Sequence, residues 1–271
     1  MVTQHGYSER RACRLARQAR ETYRWKSRKN PHTALRMRMC EIARARVRFG
    51  YRRIQVLLNR EGWDIGKKLA YRIYTEEGLT LRNAGGRKRR KMTVQRTVRY
   101  KPHGVNEVWS MDFVSDQLVN GTRFRALTVV DIYNREALAI EVGQRLRGED
   151  VVRTLNRLVM QRGRPKYLFT DNGAEFTGRI VDLWAYHHGV RIDFSRPGKP
   201  TDNAFIETFN GSLRNECLNV HWLETLGDAQ EIIDGWRRDY NESRPYMALG
   251  NVPPLEYTRI QASLKEKTCS Q

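Results

Sequence analysis

Apolar and polar positions follow two different rhythms along this chain. Up to about residue 82 the apolar residues recur at helical spacing. Leu15, Ala16, Ala19 and Tyr23 form a thin face within residues 8 to 29, and a second helical stretch runs from about Thr33 to Phe49 and stops at Gly50. Ile54, Leu57 and Leu58 mark a third, from Tyr51 to Gly62, and the fourth runs from Gly66 to Gly78 and opens with Lys67 and Lys68. From Glu107 the pattern turns to alternating and β-branched residues. Val108 to Val114, Phe124 to Val130 and Ala137 to Val142 read as consecutive strands, with Asn120-Gly121 as a hairpin turn between the first two. Residues 149 to 161 then read as an amphipathic helix, Tyr167 to Thr170 as a strand, Thr177 to His188 as a helix, Val190 to Phe194 as a strand and Asp202 to Leu218 as a helix.

A three-strand meander followed by alternating helix and strand describes a mixed α/β sheet with helices on its faces, in the order of a ribonuclease-H-like core. The expected organisation is a basic helical segment over 1–30, a helix-turn-helix-like domain over 31–82, a basic linker over 83–104, the catalytic core over 105–262 and a tail over 263–271. Two short helices joined by a glycine-containing turn, the second opening on lysines, match a helix-turn-helix whose second helix enters the major groove. A small helical bundle with solvated charges is the alternative.

Charge sharpens this division. Residues 1 to 104 hold 29 Lys or Arg against 7 Asp or Glu, a net of +22, whereas the remainder holds 21 against 23, a net of −2. A block this basic is drawn to a polyanion, and solubility does not require such segregation. DNA or RNA is the natural partner. Lys67, Lys68 and Arg72 are candidates for groove contact, and Arg87, Lys88, Arg89, Arg90 and Lys91, within the linker, for sequence-independent contact to a DNA backbone. Cys13, Cys40, Cys217 and Cys269 form no Cys-x-x-Cys pair, so neither a disulfide framework nor a zinc site is suggested. The sequence has no apolar stretch of membrane-spanning length and no signal-peptide core at its N-terminus, so no membrane partner and a cytoplasmic location are expected.

Three carboxylates carry the candidate chemistry. Asp112 lies within the first strand, Asp171 closes Tyr-Leu-Phe-Thr-Asp-Asn-Gly, and Glu207 lies in the last of these helices. Carboxylates brought together repel unless hard, oxygen-preferring cations lie between them, which points to magnesium and phosphoryl transfer. In the helix, Ile206, Phe209, Leu213 and Cys217 share a stripe that should be buried, and Glu207, Asn210 and Arg214 share an adjacent polar one. A carboxylate for metal and a cation for phosphate therefore face the same way. Asp131, after Thr-Val-Val, reads instead as a turn residue, and Asp116, Glu175 and Asp202 as surface groups.

Ser-Met-Asp-Phe-Val-Ser-Asp, Thr-Asp-Asn-Gly-Ala-Glu-Phe, Arg-Pro-Gly-Lys-Pro-Thr-Asp-Asn-Ala-Phe-Ile-Glu-Thr-Phe-Asn-Gly-Ser-Leu-Arg-Asn-Glu-Cys-Leu and Asp-Tyr-Asn-Glu-Ser-Arg-Pro-Tyr resemble the integrase-type transposases of bacterial insertion sequences. The nearest resemblance is to the OrfB product of the two-frame insertion-sequence-three family, over essentially the whole chain. It implies that Asp112, Asp171 and Glu207 form a metal-binding DDE triad holding two magnesium ions, with manganese as a substitute. It also implies that Arg214 stands where many relatives carry lysine, and that Tyr246 stands where relatives often have histidine. Lys199, Asn203 and Asn210, around the same helix, join the candidate DNA contacts. The implied partners are double-stranded DNA, as element ends and target, an OrfA product or fusion, and further copies of the chain on DNA. The implied setting is a bacterial nucleoid. The implied activity is magnesium-dependent cleavage of element ends and their joining to new DNA, without a protein nucleophile. A non-catalytic DNA-binding regulator and a structure-selective nuclease are the competing functions, the first opposed by the intact triad and the second by the linked helix-turn-helix.

Overall fold

The computed structural model describes residues 6–25, 30–81, 100–196 and 203–269. The chain divides into two compact units, Met1–Arg38 and Met39–Gln271. In the first, the single helix expected over 8 to 29 is broken into α1 (Glu9–Leu15) and α2 (Arg20–Arg24). Arg17 adopts a φ of 52°, which a continuing right-handed helix cannot accommodate. Ser8 caps α1, and the Glu9 carboxylate accepts from Nε of Arg20 and Arg24 at 3.0 and 2.7 Å across the break. Helix α3 (Thr33–Ala45) crosses the division and ends four residues before the expected Phe49, which is buried in the turn that follows.

The second unit begins with α4 (Tyr51–Arg60) and α5 (Lys67–Glu76). The turn between them needs positive φ at Gly62 and Asp64, and Asn59 clamps it by accepting from the Ile65 N–H at 2.9 Å and donating to the Ile65 carbonyl at 3.2 Å. Ile54 and Leu58 of α4 and Ala70, Ile73 and Tyr74 of α5 are buried. That leaves Lys67, Lys68, Tyr71 and Arg72 on the exposed side of α5. Helix α4 and the turn ahead of it are tied to the rest of the unit by ion pairs of Arg46 with Asp239, Arg53 with Glu216 (3.0 Å) and Arg60 with Glu256 (2.9 Å).

The core is a five-stranded sheet in the order β3-β2-β1-β4-β5. Strands β1 (Val108–Gln117), β2 (Arg123–Asp131) and β3 (Ala137–Gly143) form an antiparallel meander, and β4 (Tyr167–Thr170) and β5 (Arg191–Phe194) add in parallel on the far side of β1. Parallel addition needs crossovers, supplied by α6 (Gly148–Arg162) and by α7 (Ala174–Thr177) with α8 (Arg179–His188). Alternation along β1 sends Trp109 and Met111 to a core shared with α6 and α8, and Val114 to a core shared with α9 (Ala204–Leu213) and α10 (Leu226–Glu242). The chain closes with α11 (Pro254–Cys269). This is the ribonuclease-H-like mixed sheet that the alternating pattern implied.

Element bounds differ from the sequence reading where backbone chemistry intervenes. The helix expected over 177 to 188 starts two residues later, at Arg179, because Gly178 takes an extended backbone that separates it from the short α7. The helix expected to run to Leu218 changes at Arg214 into a π turn over Arg214–Leu218. Its buried stripe persists regardless: Ile206, Phe209, Leu213 and Cys217 are all at most 3% exposed. Burial pushes the Cys217 thiol up to about 12, so this cysteine is a packing group.

Candidate active site

Asp112 sits in mid-strand on β1, paired in register with Thr128 of β2, at the position where the sheet meets α9. Strand β4 pairs Phe169 with Ser110, and Asp171 follows just past its end, near enough for its charge to act on the Asp112 carboxyl. Glu207 lies on the exposed side of α9, opposite its buried stripe.

The Asp112 carboxylate accepts from its neighbour's N–H, Phe113, at 2.7 Å and from Asn210 Nδ2 at 2.8 Å. Asn210 is anchored by the Thr128 hydroxyl, 2.9 Å from its Oδ1, so strand β2, helix α9 and the acid on β1 form one chain of hydrogen bonds. Burial above all holds the Asp112 carboxyl up, to about 6. The negative charges of Asp171 and Glu207 push it the same way, and the Phe113 and Asn210 N–H groups oppose them. Asp171 accepts from the Gly173 N–H at 3.0 Å, which folds Asp171-Asn172-Gly173 into a tight turn ahead of α7. Arg214, exposed on the next turns of the α9 helix, donates to the Ser115 carbonyl of β1 at 2.9 Å.

The three acids do not form a closed ligand cage: among the described residues no three His, Cys, Asp or Glu side chains are gathered to hold a metal ion. Their chemistry nonetheless fits a hard divalent cation. All the donors are oxygens, the charges are close enough to raise the Asp112 carboxyl, and the hydrogen bonds to Asp112 come from amides rather than a side-chain cation.

Other expected positions have different settings. Asn203, expected to face DNA, is 7% exposed at the head of α9 and lies 2.5 Å from the Ser110 hydroxyl, a buried pairing that leaves its amide inside the fold. Asn210, expected on the same DNA-facing stripe, is turned to Asp112. Lys199, Asp202 and the run Arg87 to Lys91 lie outside the described residues. Asp131 closes a turn as expected, its carboxylate accepting from the N–H groups of Asn106 and Tyr133 at 2.6 and 2.8 Å. Glu175 is not a free surface group, being ion-paired with Arg125.

The trailing Asn-x-x-Arg-Pro segment is structural. Asn241 exchanges two hydrogen bonds with the backbone of Ala137, at 2.9 and 3.0 Å, and so fixes the start of β3. Arg244, 2% exposed, forks onto both oxygens of Glu216 at 2.7 and 2.8 Å, clamping α10 to the π turn that follows α9. The hydrophobic pattern carries no trace of either contact, since both are made by polar groups across more than two dozen residues of chain. Thr128 was missed for the same reason.

The integrase core domain family matches residues 102–200 and, in a second description under the same name, 188–254. The 31.7 kDa protein of insertion element IS407 from Burkholderia multivorans is 46% identical, covering 92% of this chain and 90% of that protein. The 39.2 kDa protein of insertion element IS476 from Xanthomonas euvesicatoria is 43% identical, over 92% of this chain and 72% of that protein. The putative transposase InsK of insertion sequence element IS150 from Escherichia coli is 27% identical over 78% of each. Among solved structures, the simian T-cell lymphotropic virus intasome in complex with PP2A regulatory subunit B56 gamma aligns with a TM-score of 0.52 at 15% identity, over 81% of this chain and 74% of that chain. That likeness is one of fold. Among the described residues no helix is long and apolar enough to cross a membrane. With its integrase core domain and these relatives, the chain belongs to the integrase-core transposases of bacterial insertion sequences and is a DDE-type polynucleotidyl transferase.

Proposed function

We propose that this transposase cleaves the ends of its insertion element and joins the freed 3′-ends to target DNA by direct phosphoryl transfer, using Asp112, Asp171 and Glu207 as the ligands of magnesium. The observation that carries this reading is the hydrogen bond by which Asn210 of α9 ties the helix of Glu207 to the Asp112 carboxylate of β1, a carboxyl that burial and the charges of Asp171 and Glu207 hold up. When bound, two divalent ions, magnesium or manganese in its place, would supply activation of the attacking water or 3′-hydroxyl and stabilisation of the leaving oxygen. Asp112 on β1, Asp171 just after β4 and Glu207 on α9 would hold the ions, and the ions would carry the charge of the reacting phosphate. Asn210 orients Asp112, and Arg214 places a cation beside the incoming phosphate. Lys67, Lys68 and Arg72 provide contacts to duplex DNA, with Lys199 and the run Arg87 to Lys91 adding contacts to the backbone. An OrfA product or fusion, and further copies of the chain on DNA, complete the working complex; the family resemblance supports both.

The deciding experiment incubates the purified chain with duplexes bearing the terminal repeats that border its own gene, a supercoiled plasmid and magnesium. Magnesium-dependent joining of 3′-ends to the plasmid is expected. DNA binding without joining or cleavage would favour a regulator, and cleavage without joining a nuclease.

Two expectations follow from Asp112. Because its carboxyl must lose a proton to bind a cation, divalent-ion affinity should be full above the raised value of about 6 and fall as pH drops through it, roughly tenfold per unit for one released proton. Titration calorimetry with manganese between pH 5 and 8 reads this directly, and a flat profile would count against Asp112 as a ligand. Removing its amide partner by Asn210→Ala should lower joining by about ten- to a hundredfold, since a hydrogen bond to a charged group contributes about 1.5–3 kcal/mol. DNA affinity, read by fluorescence anisotropy in the same samples, should move less; an equal loss in both would make Asn210 a DNA contact instead.

A further inference from the structure

The ends of β1, β2 and β3 leave two adjoining hollows of about 450 and 470 Å³. Both are walled by Arg125 and Gln144, so they form one trough. Arg123 lines one arm, and Arg145, Arg147 and Glu175 line the other. At one end the trough reaches Ser115, whose carbonyl receives Arg214, and at the other Ala174 and Glu175, three and four residues after Asp171. Its lining thus lies close in the chain to two of the acids, Ser115 three residues after Asp112 and Ala174 three after Asp171.

The lining is strongly cationic. Arg123, Arg145 and Arg147 are exposed, and their side chains make no hydrogen bond or ion pair among the described residues. Of the two carboxylates in the walls, Asp116 and Glu175, the second is already taken by Arg125. Arg125 is held rigidly: its guanidinium lies 4.1 Å over the ring of Phe113, the residue after Asp112, and that ring stacks on Phe176 at 5.0 Å. Its Nε is buried and has no hydrogen-bond partner among the described residues. A buried N–H without an acceptor is costly, and an anionic oxygen entering the trough would satisfy it.

Planar guanidinium groups suit phosphate oxygens, and phosphate contacts hold a nucleic acid without reading its sequence. Strand transfer brings a second DNA to the site, one whose sequence the element does not carry. We propose that this trough holds the phosphodiester backbone of the target DNA, with Arg123, Arg145 and Arg147 on its phosphates and Arg125 at the inner wall next to Asp112. The proposal rests on the transposase reading above and names where one of its two DNA substrates lies.

The test uses the full chain carrying Arg123→Glu, Arg145→Glu and Arg147→Glu together, and Arg145→Glu alone as the milder variant. All three positions are exposed, and thermal unfolding checks that the fold is kept. The probe is a linear duplex ending in the terminal repeats that border the chain's own gene, with supercoiled plasmid as target, so that end cleavage and joining are read in one reaction. The triple variant is expected to lower the ratio of joined to cleaved ends about tenfold or more, and to reduce the salt dependence of joining by about 2–3 units of log–log slope for three lost phosphate contacts. The single change should move both in the same direction by less. A wild-type ratio in the triple variant would overturn the proposal, and so would a matching fall in cleavage and joining, which would put the element end in the trough. A wild-type chain that neither cleaves nor joins would overturn the transposase reading and this assignment with it.

Discussion

Asp112→Asn, Asp171→Asn and Glu207→Gln should each remove cleavage and strand transfer while leaving folding and DNA binding nearly intact. Each swap keeps the shape of the side chain and deletes one negative charge. Replacing a group that merely supports a metal ligand typically costs about 10–100-fold, so loss of a ligand itself is expected to cost more than about 100-fold in joining. The three will not behave alike in stability. Asp112 is the most buried of the acids, and its carboxyl is raised to about 6, so at pH 7 the folded chain bears the cost of an ionised, partly buried group. The sign follows from the direction of the shift: the folded state holds the proton more tightly than the unfolded one, so stability falls as pH rises from about 4 to 6 and stays level above. Asp112→Asn removes that cost and should raise the melting temperature at pH 7 but not at pH 4 in metal-free buffer. Asp171→Asn and Glu207→Gln, both exposed, should raise it by less, since each removes only its own repulsion of Asp112. Near-normal joining by any one of the three in magnesium would remove that residue from the triad.

Much of this site was legible because it is built on periodicity. Strand alternation placed Asp112 between Met111 and Phe113, and the helical stripe of Ile206, Phe209, Leu213 and Cys217 fixed which side of α9 Glu207 must occupy. Both patterns follow from burying apolar area, and the structure keeps them even where the helix turns from α to π at Arg214. What periodicity could not show was the polar wiring. The Thr128–Asn210–Asp112 relay joins three elements through single hydrogen bonds, and Asn210 carried the same signal as any polar residue on an exposed stripe. Asn203 was grouped with the DNA contacts around this helix, but it is buried against Ser110, a partner 93 residues earlier in the chain that no local pattern reveals. The break between α1 and α2 was hidden for another reason: Arg17 is a good helix former, and only its backbone conformation ends the helix.

DNA binding by the whole chain should be steeply salt-dependent, and the dependence should trace to particular arginines and lysines rather than to net charge. If the basic half neutralises on the order of 6–10 phosphates, affinity for a random duplex falls by roughly 10³–10⁵ between 50 and 200 mM salt. The 29 basic residues before position 105 far exceed that number, so most of them must be doing something else. Some demonstrably are. Arg46, Arg53 and Arg60 are paired with Asp239, Glu216 and Glu256, and a cation already neutralised by a carboxylate releases few counterions when DNA approaches. Lys67, Lys68 and Arg72 stand on the exposed side of α5, where Arg72 makes a 3.7 Å contact with Glu76 one turn away. Replacing those three by glutamine should therefore lower the log–log salt slope by about 2–3, whereas Arg60→Gln should change it by less than any one of the three. Neutralising Arg87 to Lys91 should weaken binding about equally for all sequences, as backbone contacts do. Fluorescence anisotropy over a salt series, without divalent ions, separates these cases. A triple variant with the slope of the wild type would take α5 out of the DNA interface and leave the helix pair as a bundle whose charges are merely solvated.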